Sequence, residues 1–107
     1  MKHRVEERDG AIIVAFEGDV DLEHSPKART ALLESIGRGS RVVVDMSAVS
    51  YIDSSGIASM VEAYQNARKE GKGFVLAAVS EPAMRVLGLA RLDKVFTICA
   101  TVEDGMK

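Results

Sequence analysis

Apolar and polar positions alternate in short blocks along this chain, and the spacing within the blocks switches between strand-like and helix-like periods. Val5 lies in a first short strand, and Asp9-Gly10 is a hairpin turn signal. Ala11 to Glu17, rich in Ile, Val and Phe, reads as a second strand that Gly18 closes. Ser25-Pro26 opens a helix, with Ser at the N-cap and Pro at the first helical position. Ala28, Ala31, Leu32, Ser35 and Ile36 share its inner face, and Gly37 and Gly39 end it. Arg41 to Asp45 contains Val42-Val43-Val44, an apolar run suited to a strand buried on both faces.

The clearest helix follows, with Ile57, Met60, Val61, Tyr64 and Arg68 along one stripe and Gly71 and Gly73 stopping it. Phe74 to Val79 reads as another buried strand. Pro82 opens a short helix through about Leu89, using Met84, Val86, Leu87 and Leu89. Val95 to Ala100 is the last strand, and Thr101 to Lys107 adds one fraying helical turn. The predicted order is ββαβαβαβ(α), an α/β architecture in one domain over residues 1–107. Strand–helix–strand alternation predicts a mixed, mostly parallel sheet with a leading hairpin and with helices packed on at least one face.

Composition narrows the function classes. A chain of 107 residues with 47% hydrophobic positions can bury a core without disulfides or a structural metal. Its 14 basic and 16 acidic residues leave a net charge of -2, which gives no electrostatic reason to expect a nucleic-acid partner. The lone Cys99 lies in an apolar run and reads as a buried core thiol. Residues 1–8 are charged, unlike a signal peptide, and no window approaches the ~18 apolar residues of a membrane span. A cytoplasmic protein with no direct membrane insertion is expected.

One segment carries candidate chemistry: Val49-Ser50-Tyr51-Ile52-Asp53-Ser54-Ser55-Gly56-Ile57, between a buried strand and the clearest helix. The C-terminal ends of strands are where function gathers in such folds. Asp53 reads as the helix N-cap, with Ile52 able to pack on Ile57 as a hydrophobic staple. Ser54, Ser55 and Gly56 are then the first three helical residues. A first turn has unpaired N–H groups and a partial positive charge, so a phosphate on Ser54 or Ser55 meets a favourable field. The same spacing is also ordinary capping sequence and needs no function.

Other chemistries find less support. His24, Asp21 and Ser54 have the residue types of a catalytic triad, but no nucleophile-elbow motif accompanies them. His3 and His24 lack further ligands at metal-site spacing, and no phosphate-cradling Gly-rich loop occurs, so no metal, cofactor or catalytic residue is expected. Asp19, Asp21 and Glu23 form an acidic run before the first helix, suited to a solvated loop. Met60 and Met84 read as core packing.

The run Val42-Val43-Val44-Asp45-Met46-Ser47-Ala48-Val49-Ser50-Tyr51-Ile52-Asp53-Ser54-Ser55-Gly56-Ile57 resembles the signature of the STAS family of anti-sigma factor antagonists: an apolar strand, Asp-Leu-Ser, a short connection, then Asp-Ser-Ser-Gly-Leu. Met46 and Ile57 replace leucines. Gly18-Asp19-Val20-Asp21, Gly71-Lys72-Gly73-Phe74-Val75-Leu76, and Pro82 to Leu87 with Leu92-Asp93 and Phe96-Thr97-Ile98 are similar to flanking family features. The resemblance implies a STAS fold and a switch between partners, not an enzyme. The unphosphorylated antagonist binds an anti-sigma factor, often a GHKL-type serine protein kinase, and frees the sigma factor. Phosphorylation of the serine after the motif's Asp, here Ser54, ends the complex, and a serine phosphatase restores it. The implied partner surface comprises Asp19, Asp21, Asp53, Ser55, Gly56 and Ile57. The alternative is an accessory subunit of a membrane lipid ABC transport system, regulating its ATPase.

Overall fold

The predicted alternation of elements is present in the computed structural model, which describes residues 1–107. The strands are β1 (Lys2–Arg8), β2 (Ala11–Val20), β3 (Arg41–Ile52), β4 (Gly73–Ala77) and β5 (Thr97–Cys99). The helices are α1 (Ser25–Arg38), α2 (Ser54–Lys69), α3 (Glu81–Leu89) and α4 (Val102–Gly105), with a 3-10 turn at Leu92–Lys94. The strands lie side by side in chain order; β1–β2 is antiparallel and every other pair is parallel. Asp9 and Gly10 both adopt positive φ, the requirement of a tight hairpin whose twist matches its strands.

Side chains alternate across the sheet and so split the core in two. Ile12, Val14 and Phe16 of β2 join Val42, Val44 and Met46 of β3 beneath α1, α2 and α3. Ile13, Val43, Val75 and Ala77 form a smaller cluster on the other face, covered by Val102 and Met106 of the α4 segment. The C-terminal turn is therefore not a fraying end. Thr101 Oγ1 accepts from the Asp104 amide at 3.0 Å, Arg41 donates to the Gly105 carbonyl at 3.1 Å, and buried Gly105 fits against Val43 and Val75 where a Cβ would crowd them.

Several expected boundaries and faces move. α1 begins at Ser25, with His24 at the cap position, because Asp21 turns the preceding loop through its carbonyl and carboxylate. The buried stripe of α2 is Gly56, Ile57, Ser59, Met60, Ala63 and Ala67; Val61 and Tyr64 are half-buried, and Arg68 is exposed over the Tyr64 ring. Small residues on the inner face let α2 lie close to its neighbours. On α3 only Ala83 and Leu87 are buried, so Met84 and Leu89 are surface residues rather than core. The last strand shrinks to Thr97–Cys99, with Val95 exposed, and β4 stops at Ala77, before the left-handed Ala78. Cys99 is half-buried at this edge of the sheet, not a buried core thiol.

Candidate functional site: the N-terminus of α2

The site is built on a projection of the sheet. β4 pairs with β3 only along Arg41–Asp45, whereas β2 follows β3 on to Ile52. The sequence "connection" from Met46 to Ile52 is thus strand, held on one side by Glu17–Val20 through two register shifts, with Gly18 at φ 93°. Such irregularities bend a strand pair and re-aim its end. On the other side, where β4 no longer reaches, Ser80 at the cap of α3 anchors β3: its amide donates to the Met46 carbonyl and its hydroxyl to the Val49 carbonyl at 2.7 Å.

Asp53 then caps α2 as expected, and it does more. Its Oδ1 accepts from the Ser55 amide at 2.9 Å and the Gly56 amide at 3.1 Å. Its Oδ2 accepts from the Leu22 amide at 3.1 Å, on the loop between β2 and α1. One carboxylate therefore ties together two elements distant in sequence. The Asp53 amide in turn donates to the Val20 carbonyl. Gly56 completes the joint: a Cβ there would lie inside the van der Waals shell of that same Val20 oxygen and 2.8 Å from Ile52 Cγ1. Ile52 and Ile57 both enter the main core, so the turn is fixed from beneath.

These contacts separate the residues expected at the partner surface. Gly56 and Ile57 are buried and shape the turn from inside. Asp53 and Ser55 are half-buried, and the Ser55 carbonyl accepts from Ser59 Oγ. Asp19 is exposed and paired across the strands with Tyr51. Asp21 faces its own loop, where its carboxylate accepts from the His24 amide at 3.1 Å and meets His24 Nδ1 at 2.7 Å. Partial burial works against ionising Asp21, but the hydrogen bonds and charge of His24 outweigh it and hold its pKa below the ordinary carboxylate value.

Ser54 stands apart. It is exposed, and its hydroxyl makes no hydrogen bond within the chain. The expectation of several free first-turn N–H groups does not hold. Asp53 has taken those of Ser55 and Gly56 through its side chain and that of Ile57 through its carbonyl. The segments that form the turn carry no basic residue: neither residues 9–26 nor residues 42–67 include a lysine or arginine. Two apolar residues that the sequence reading passed over flank the turn, Leu22 at 73% and Tyr51 at 51% exposure. The signal for Leu22 was its place inside the acidic run; Tyr51 was hidden because the strand was not expected to continue that far.

A family model described as the STAS domain matches residues 2–105. The chain is 26% identical over 103 residues to the anti-sigma-B factor antagonist of Bacillus subtilis, covering 96% of this chain and 94% of that one. An anti-sigma factor antagonist from Mycobacterium paratuberculosis superposes with a TM-score of 0.89 at 28% identity, over 98% of this chain and 90% of that one. At 17% identity the fold alone is shared with the Bacillus cell fate determinant SpoIIAA in its phosphorylated form, with a TM-score of 0.76 over 98% of this chain and 96% of that one.

Proposed function

The chain belongs to the STAS domain family, and we propose that it is an anti-sigma factor antagonist whose binding is switched by phosphorylation of Ser54. The observation that carries this reading is the setting of Ser54: an exposed hydroxyl with no internal partner, on a turn that the Asp53 carboxylate holds through the Ser55, Gly56 and Leu22 amides. A kinase can reach this oxygen without unfolding anything. Ser55, one residue on, is half-buried. The antagonist names of the relatives support this role over one in an ABC transport system.

The unmodified turn presents Ser54, Asp19, Leu22 and Tyr51 to an anti-sigma factor, which we take to be a GHKL-type serine kinase. Phosphorylation adds a charge of about −1.5 to −2. No lysine or arginine of the surrounding segments answers it, and Asp53 already occupies the neighbouring amides. The dianion stays at the surface, where a bound partner must desolvate it beside Asp53. A loss of ~2.8 kcal/mol weakens binding about a hundredfold. The field of the helix N-terminus, worth about 0.3–1 kcal/mol, keeps the fold itself tolerant of the charge. A serine phosphatase resets the switch. The chain itself binds and releases and performs no chemistry, and the cycle runs in the cytoplasm.

The test is capture from the native host on immobilised unmodified protein, followed by incubation of the retained kinase with ATP. The expected result is one phosphate, mapped to Ser54 by mass spectrometry, lost in Ser54→Ala and kept in Ser55→Ala. Retention of an ABC ATPase without any kinase, or a phosphate on Ser55, overturns the reading.

A further inference from the structure

β1 is one edge of the sheet, the three-residue β5 being the other: it pairs with β2 on one side and with nothing on the other. Sheet edges are ordinarily blunted by charge, and β1 is charged at almost every position, reading Lys2-His3-Arg4-Val5-Glu6-Glu7-Arg8. The order of those charges is nevertheless self-complementary. Basic residues precede Val5 and acidic ones follow it. The register with β2 puts His3, Val5 and Glu7 on the α1 side of the sheet, opposite Phe16, Val14 and Ile12, and Lys2, Arg4, Glu6 and Arg8 on the α4 side.

We infer that β1 is a homotypic interface, pairing antiparallel with β1 of a second copy about a twofold axis through Val5. In that register Val5 meets Val5, Arg4 meets Glu6 on one face and His3 meets Glu7 on the other, each pair occurring twice. The end pair, Lys2 with Arg8, is like-charged and likewise occurs twice, while Arg8 has ion-pair partners in Glu6 and Glu103 of its own chain. Sliding by two residues, the smallest step that keeps the helices on one side, puts Arg4 against Arg4 in one direction and Glu6 against Glu6 in the other. Sliding toward Arg4 also gains Lys2 against Glu6, but only the Val5-centred register sets four acidic side chains of β1 against basic or imidazole ones. Arg4 and Glu7 have no ion pair within the chain and Val5 is 38% exposed, while Glu6, which meets the second copy's Arg4, is shared with Arg8 of its own chain.

The space beside the edge also fits. A groove of ≈ 430 Å³, lined by His3, Pro26, Lys27, Thr30, Ala31 and Glu34, runs between β1 and α1 and has room for the side chains of an added strand. Pairing joins two sheets into one and leaves Ser54 free in both copies, because the turn lies at the ends of β2 and β3 and not on β1. The contact is one strand wide, well short of a standard interface, so the dimer is weak and exchanges rapidly.

Sedimentation equilibrium of the full chain, from micromolar to millimolar concentration, tests the pairing. The expected result is a reversible monomer–dimer equilibrium that weakens as salt rises. Arg4→Glu sets carboxylates against Glu6 at two symmetric places and should weaken the dimer about tenfold. Glu6→Arg should act alike, and the double exchange Arg4→Glu with Glu6→Arg should restore association, which no general loss of folding can imitate. In a Cys99→Ser background, Val5→Cys should form a disulfide dimer on mild oxidation and His3→Cys should not, since only Val5 faces itself. A strict monomer at millimolar concentration, or a dimer indifferent to both charge reversals, overturns the inference.

Discussion

Replacing Asp53 with asparagine separates its two duties. The carboxylate accepts with both oxygens, Oδ1 from the Ser55 and Gly56 amides and Oδ2 from the Leu22 amide. An asparagine has one acceptor oxygen, and asparagine caps helices about as well as aspartate. With that oxygen on the cap, the side-chain NH2 points at the Leu22 N–H, donor against donor. A hydrogen bond to a charged group is worth about 1.5–3 kcal/mol, and water at the exposed Leu22 loop replaces part of it, leaving about 1 kcal/mol. Losing the negative charge at the helix N-terminus adds about 0.3–1 kcal/mol. Asp53→Asn should therefore cost about 1–2 kcal/mol, and Asp53→Ala, which also abandons the cap, about 2–4 kcal/mol. The discriminating assay is amide hydrogen exchange read residue by residue. In Asp53→Asn the Leu22 amide should lose its protection while Ser55 and Gly56 keep theirs; in Asp53→Ala all three should exchange fast. Unchanged Leu22 exchange in the asparagine variant, with stability held within ~0.3 kcal/mol, would falsify the idea that Asp53 latches the loop.

Gly56→Ala should destabilise by about 1–3 kcal/mol in a urea titration, although alanine favours helix, because the new Cβ meets the Val20 carbonyl that holds the Asp53 amide; equal or higher stability refutes the close approach. Leu87→Ala should cost about 2–5 kcal/mol and Met84→Ala less than about 0.5 kcal/mol, since only Leu87 is buried on α3; similar losses would misplace that helix face. His24→Ala should move the Asp21 pKa up toward 3.8 in an NMR titration. Because folding lowers that pKa, the stability Asp21 contributes is present above its unfolded value and fades as pH falls through the folded one, so the His24 variant should show a shallower acid loss; an unmoved Asp21 titration refutes the pairing.

Local chemistry along the chain determined the order of elements, the leading hairpin and the Asp53 cap. Each depends on residues close in sequence: Asp9-Gly10 for its two positive φ angles, Asp53 for amides two and three residues ahead, and runs such as Val42-Val43-Val44 for a doubly covered strand. The motif around Ser54 was legible for the same reason. What needed the tertiary structure were the contacts between distant segments. Periodicity gave α2 a stripe through Val61 and Arg68, but close packing favoured the side lined by Ala63 and Ala67. The C-terminal turn looked like a loose end because nothing in its own sequence says that a second sheet face, Ile13, Val43 and Val75, lacks a cover. At the site, spacing could mark Gly56 and Ile57 as part of the motif but not as buried supports, nor Leu22 and Tyr51 as the exposed apolar flanks. Exposure depends on what packs against a residue, and here that is decided by Val20 and Leu22, more than thirty positions from Asp53, meeting its turn in space.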